Sequence, residues 1–378
     1  MADVLVIGAG PAGCVAATVL ARAGARVRML DRSTFPRPKL CGDTVNPGTV
    51  ALLRRLHLAD GLETRGLRID GMAVTGASGL RVEARYPRGQ HGIAIVRREL
   101  DWLLLQDALA AGVEFEPGTF VRRAIVDGTR VTGAEIVCGS SMHALRAPVT
   151  IAADGRHSTI AFGLSLARHP NRPRRWAMGA YFDGVRHDAP TIGEMHIRAG
   201  RYVGVAAVPG GLTNVCLVKS PAGGEFAHRS PRDVFLDEVS RDSVLTDRLA
   251  GARLVSGPVV LGPLAVDAVP RSMDGLLLAG DAAGFIDPMT GDGLRLAMQG
   301  AELSAAVALE ALEHGWPGIG VRLARARRRA LAPKWRFNRM LRAVVGSAAA
   351  ISASTVGARI APSMLQAVIR YAGDCGQT

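Results

Sequence analysis

Val4-Leu5-Val6-Ile7-Gly8-Ala9-Gly10-Pro11-Ala12-Gly13 reads as a short β-strand that stops in a glycine turn and passes directly into a helix. The helical pattern runs from Pro11 to Ala23 and is ended by Gly24; Arg26–Leu30 then alternates as a second strand and stops at Asp31. This β-α-β unit places G-x-G-x-x-G in the strand–turn–helix context that binds dinucleotides. Gly8 permits the tight turn, Gly10 lets a pyrophosphate approach the backbone, and Gly13 lets the helix pack on the strand. The helix N-terminus, with Pro11 and Ala12, adds N–H donors and a partial positive charge. Asp31 and the adjacent Arg32 end the second strand, where an acid holds ribose hydroxyls. The acid favours an unphosphorylated ribose, which leaves NAD and FAD both open.

Two later segments repeat the geometry of a strand ending in small residues and an acid. Ala153-Asp154-Gly155-Arg156-His157-Ser158 follows the apolar run Val149–Ala152. Gly280-Asp281-Ala282-Ala283-Gly284-Phe285-Ile286-Asp287-Pro288 follows Leu276–Ala279. Ligands of open α/β sheets bind at such carboxyl ends. Asp292 is expected to cap a long helix beginning at Gly293, whose N–H groups would face an anionic acceptor.

Together these segments resemble the three fingerprints of the para-hydroxybenzoate hydroxylase-fold flavoproteins, over roughly residues 1–315. That group includes aromatic hydroxylases, squalene-type epoxidases, halogenases and geranylgeranyl reductases. The resemblance implies FAD as cofactor, with Gly8, Gly10, Gly13 and Asp31 on its ADP half. It also implies Asp281 at the ribityl and diphosphate region, and Pro288, Gly291, Gly293 and Leu294 along the flavin ring. Val96-Arg97-Arg98-Glu99-Leu100-Asp101 is similar to the group's arginine motif, so Arg97 is expected to contact the cofactor. Asp154 and Gly155 would serve FAD and, in hydroxylases, transient NAD(P)H. No second glycine fingerprint exists for that reductant, so nicotinamide is expected to dock transiently or a separate partner to reduce the flavin.

Phe35-Pro36-Arg37-Pro38-Lys39-Leu40-Cys41-Gly42-Asp43 resembles the P-R-x-K-x-C-G loop of the geranylgeranyl reductase branch, as does Asp287–Gly293. Tyr202-Val203-Gly204-Val205-Ala206-Ala207-Val208-Pro209 stands where that branch carries an aromatic-rich Y-x-W-x-F-P, and the tryptophan is absent. On that ground a monooxygenase or hydroxylase is preferred over a double-bond reductase of an isoprenoid or quinone lipid, with a non-catalytic flavin-binding partner as a third reading. Lys39, Cys41 and Asp43 are candidates for the substrate side of the flavin, and His196 and Tyr202 for the pocket of the inserted lobe. Asp43 also fits a simpler role as cap of the next helix. No metal is expected, because there is neither an H-x-x-x-H nor a carboxylate cluster.

The expected fold is α/β (α+β): a Rossmann-like FAD-binding domain (1–66, 92–168 and 266–320) interleaved with a β-sheet substrate domain (67–91 and 169–265), then a helical segment, 321–378. Helices are expected near 232–249 and from Asp292 to Leu312, and throughout 320–372 with interruptions near Pro333 and Pro362. Turns are expected at Asp127-Gly128 and Gly139-Ser140.

Composition sharpens the partners. The 378 residues carry a net charge of +13, and all but Lys39, Lys219 and Lys334 of the 46 basic residues are arginine. Between His314 and Gly373 there are 11 basic residues, Arg359 among them, and no acid, so the rest of the chain is almost neutral. Aromatics at 4% are too sparse for a base-stacking surface, and nucleic acid is excluded as a partner. Residues 321–342 are a candidate docking surface for a membrane or an acidic protein. A small, lipid-like or carrier-bound substrate is expected in the inserted lobe. Five scattered cysteines without C-x-x-C fit a reducing compartment. The apolar start carries Asp3 and lacks a basic leader, so a cytoplasmic protein, peripherally membrane-associated at most, is expected.

Overall fold

Val4–Ile7, buried at all four positions, is the central strand of a five-stranded sheet. In spatial order the strands are Leu276–Leu278, Val149–Ala152, Val4–Ile7, Val27–Asp31 and Glu114–Pro117, every pair parallel. The central strand is apolar without alternation because both faces of the sheet are covered there. The computed structural model describes residues 2–76, 80–139, 141–171, 174–221, 225–347, 349–351 and 361–375. Ser140 of the expected turn and the cation Arg359 lie outside these residues.

The first helix, Pro11–Arg22, takes proline at its start, where the missing N–H costs nothing. It packs against the helices Arg97–Ala110 and Gly293–His314. The buried side chains at the last contact are small, including Ala16, Ala17, Ala301, Ala305 and Ala308, so the two helices can approach closely. Parallel pairing brings the ends of Val4–Ile7, Val149–Ala152 and Leu276–Leu278 side by side, and with them Gly8, Asp154 and Asp281.

A second, larger sheet runs Arg253–Leu254, Trp176–Asp183, Leu212–Lys219, Arg201–Val208, Ile192–Arg198, Gly71–Thr75 and Arg81–Arg85, with Val259–Leu261 also on Trp176–Asp183. Side chains alternate across it. Met178, Ala180, Phe182, Val203, Val205 and Leu217 pack under Phe235 of the helix Pro231–Ser240. Ala177, Tyr202 and Val218 point the other way, toward Leu264, Met289 and Val345. That second face looks at the ends of the parallel strands.

The structure corrects three expectations. The helix read over 232–249 is two, Pro231–Ser240 and Ser243–Leu249, because the Asp242 carboxylate caps the second by accepting from the Val244 and Leu245 N–H groups. Pro333 does not interrupt its helix, which runs from Ile319 to Val345; Pro333 lies on the exposed side, where solvent is free to reach the carbonyl left without a donor. Asp292 makes no side-chain cap on the helix Gly293–His314; its carboxylate turns to Asn46 and Lys334. The helix Pro362–Ala372 lies along the edge strand Arg81–Arg85, where Gln366 Nε2 donates to the Glu83 carbonyl at 3.1 Å and Arg370 Nε to that of Arg85 at 3.2 Å.

Candidate active site

One continuous cavity of about 880 Å³ runs from the glycine turn, past the strand ends, to the apolar face of the larger sheet. Gly8, Gly10, Pro11, Ala12, Asp31 and Arg32 line its first end; Lys39, Cys41, Arg97, Asp154, Gly155, Gly280 and Asp281 line its middle. Pro288, Gly291, Gly293 and Leu294 follow, and Tyr202 stands toward the far end with Met195, Leu264, Leu341, Val345 and Leu365.

The three glycines serve different ends. Gly8 has φ +99, and a Cβ there would lie 2.5 Å from the Ala153 carbonyl oxygen. At Gly13 a Cβ would lie 1.7 Å from the Gly8 carbonyl oxygen, so it is required by helix–turn packing and does not line the cavity. At Gly10 a Cβ would meet only the tip of Arg37, at 3.6 Å; the space kept open belongs to the cavity. Asp31 accepts from the N–H groups of Ala9 and Ser33, each at 2.8 Å, and fixes the turn. The helix after Gly10 has no side-chain cap, which leaves its first N–H groups for a ligand.

The middle of the cavity is built for an anion. Burial and the charges of Arg97, Arg37 and Arg156 lower the Lys39 pKa to about 8, with Asp281 opposing them. Burial raises the Asp281 pKa, and Lys39, Arg156 and Arg97 counter it. Three cations thus act on the Asp281 carboxylate, with Arg37 beside Lys39. Asp154 Oδ1 and Arg156 Nε are buried polar atoms of cavity-lining residues with no protein hydrogen-bond partner. A diphosphate flanked by hydroxyl-bearing groups satisfies this set, as FAD would. Arg97 is held by Asp101 through contacts of 2.8 and 3.1 Å.

Cys41 lines the cavity, and burial pushes its thiol pKa up. Asp43 stands behind it, outside the lining, at φ +52. Asp43 accepts from the Tyr181 hydroxyl at 2.5 Å, Asn214 Nδ2 at 2.7 Å and the Arg97 N–H at 3.2 Å. Burial raises its pKa to about 6 against the pull of those bonds. Asp43 does not cap the following helix; Asn46 does, accepting from the Thr49 N–H at 2.9 Å. Tyr181 and Asn214 carry no local motif, and strand pairing of the larger sheet alone brings them to this loop.

Tyr202 donates to Asp287 Oδ1, and Arg175 approaches Asp287 Oδ2 at 3.2 Å. The larger sheet therefore grips the segment that leads into Pro288–Gly291. His196 departs from its expected place: fully buried, its ring lies 2.9 Å from Thr75 Oγ1 and 3.0 Å from Glu194 Oε2, and it does not line the cavity. Arg37, Arg156, Arg175, Tyr181, Asn214 and Asp287 are not singled out as site residues by the sequence, although Arg37, Arg156 and Asp287 lie inside the quoted motifs.

Comparisons with known proteins agree with this arrangement. A model of the FAD binding domain family matches residues 1–330. Digeranylgeranylglycerophospholipid reductase 1 of Methanopyrus kandleri is 32% identical over 325 residues, 82% of this chain and 81% of its own. Menaquinone reductase of Mycobacterium tuberculosis is 30% identical over 334 residues, 80% of this chain and 76% of its own. Among solved structures, the flavin-dependent halogenase CmlS superposes with TM-score 0.80 at 25% identity, over 89% of this chain and 63% of that one. A geranylgeranyl bacteriochlorophyll reductase-like protein from Thermoplasma acidophilum gives 0.76 at 22% identity, over 91% and 87%. A glycine turn, an anion-binding middle and three strand ends that meet there are what a flavin dinucleotide requires, and the chain belongs to the FAD binding domain family as an FAD-dependent oxidoreductase of the para-hydroxybenzoate hydroxylase-fold superfamily.

Proposed function

We propose that the chain reduces carbon–carbon double bonds in a long-chain isoprenoid lipid, with NAD(P)H or a protein donor docking transiently as reductant. The observation that carries this reading is the continuity of the cavity. Its polar end suits the cofactor, and it continues without a partition into walls of Ala177, Met195, Ile197, Leu261, Leu264, Leu341, Val345 and Leu365. A long apolar chain fills such a space at a gain proportional to the area buried. Relatives at 30% identity or more are named for reducing a digeranylgeranyl lipid and a menaquinone. These observations favour reduction over the oxygen insertion preferred from the sequence.

Bound FAD supplies hydride transfer. The chain's own groups do the rest. The Gly10 turn and the cations around Asp281 bind and orient the cofactor, and the apolar walls exclude water and align the double bond. One alkene carbon takes a hydride and the other a proton. Cys41 is the candidate to hold that proton at Sγ, since burial keeps its thiol protonated. Asp43, Tyr181 and Asn214 fix the loop behind it, with Asn214 also donating to the Cys41 carbonyl at 3.0 Å.

Purified holoprotein given reductant and a panel of geranylgeranylated glycerolipids and menaquinones tests the reading. Products that gain pairs of hydrogens support it. Products that gain oxygen, or an untouched panel, oppose it. Cys41→Ala should retain FAD and lose most turnover, with Cys41→Ser intermediate.

A further inference from the structure

The helix Ile319–Val345 carries Arg325, Arg328, Arg329, Arg336 and Arg339, all exposed. Their spacing of three, four and seven residues puts them along one side of the helix. From Arg325 to Arg339 that stripe is about 21 Å long at 1.5 Å per residue. None of the five pairs with a carboxylate among the described residues, whereas Arg322 reaches Glu310 at 2.8 Å and Lys334 reaches Asp374 at 2.8 Å. The stripe ends beside Met340, which is 54% exposed, and Met364 of the helix Pro362–Ala372 is 71% exposed. Both methionines also line the cavity, so its apolar end opens to the surface between these two helices.

An unpaired cationic stripe beside an apolar opening has the chemistry of an interfacial contact with anionic lipid. No helix among the described residues is long and apolar enough to cross a membrane, which makes the contact superficial. We propose that this face docks the protein on an anionic bilayer, with the arginines on the headgroups and the Met340–Met364 rim against the membrane. The inference rests on the lipid-substrate reading for its purpose. A chain leaving the bilayer through this rim reaches the reaction site without exposing each methylene to water.

The test is sedimentation of the full-length, FAD-loaded protein with phosphatidylcholine vesicles, with and without about one-third phosphatidylglycerol. Binding is expected only with phosphatidylglycerol and should weaken as salt rises. Replacing all five arginines by glutamine should weaken binding by at least about tenfold while FAD content and far-UV circular dichroism stay unchanged. Met340→Ser/Met364→Ser should weaken it with no change in charge. Absent binding at low salt overturns the proposal, as does a five-fold variant that binds like the parent. So does preference for an acidic acyl-carrier protein over the vesicles. Vesicle binding without reduction of any isoprenoid would sink the substrate reading alone. Reduction in detergent without vesicle binding would sink the docking alone.

Discussion

Lys334 and Asp374 form a buried ion pair, Nζ to Oδ1 at 2.8 Å, that ties the arginine-rich helix to the end of the helix Pro362–Ala372. Asp292 Oδ2 lies 3.5 Å from the same ammonium, and Arg295 pairs with Asp374 at 2.5 Å. Two cations and two carboxylates thus balance next to the helix start that borders the cavity. Lys334→Met should lower the unfolding free energy by about 3–5 kcal/mol by leaving buried carboxylates uncompensated. Adding Asp292→Asn should recover part of the loss, because Arg295 and Asp374 then remain a matched pair. Chemical denaturation of the single and double variants checks both expectations.

Gly10 and Gly13 should separate cofactor binding from folding. Gly13→Ala puts a methyl group 1.7 Å from a backbone oxygen, so that variant should be severely destabilised. Gly10→Ala meets no backbone, so it should purify without yellow colour and melt within about 1 kcal/mol of the FAD-free parent. Thermal denaturation and flavin absorbance read the two effects.

Asp43 should give stability a specific pH dependence. Its folded-state pKa lies at about 6, above the ordinary 3.8, because it is buried. A raised folded-state value means that protonation favours the fold. Asp43's contribution is therefore full below the ordinary value and lost as pH rises toward about 6, with no further change above. Asp43→Asn, which tolerates the left-handed backbone, should flatten the slope in this window. Urea unfolding at stepped pH, parent against variant, measures it.

Tyr202→Phe removes the hydroxyl that donates to Asp287 and leaves that carboxylate with Arg175 and the Met289 N–H. The expected cost is about 1–3 kcal/mol. Because Asp287 precedes the Pro288–Gly291 segment, the flavin absorbance band should shift and FAD should dissociate more readily. A merely structural role would change stability and leave the spectrum alone.

The parallel core was readable because its pieces are local. A strand, a glycine turn and a helix fall within residues 4–22, and the Asp154 and Asp281 turns each follow directly on their own apolar strand. What escaped depends on distant partners. Tyr181 and Asn214 reach Asp43 from strands far along the chain, paired with each other in the larger sheet. His196 sits among alternating strand residues, and only the pairing of Ile192–Arg198 with Gly71–Thr75 shows that it faces Thr75 rather than the cavity. Asp292 has the spelling of a helix cap, but a lysine from a later helix competes for its carboxylate. Burial of one face by Leu323, Leu331 and Val345 anchors what composition showed only as a basic segment.

The most direct measurement is turnover of a geranylgeranylated lipid by chemically reduced holoprotein with oxygen rigorously excluded, followed by mass spectrometry of the product. Reduction of the proposed kind should proceed at the same rate without oxygen, consume one equivalent of reduced flavin per double bond, and lose most of its rate in Cys41→Ala. A product that forms only when oxygen is admitted, and carries an atom of labelled oxygen, would contradict it.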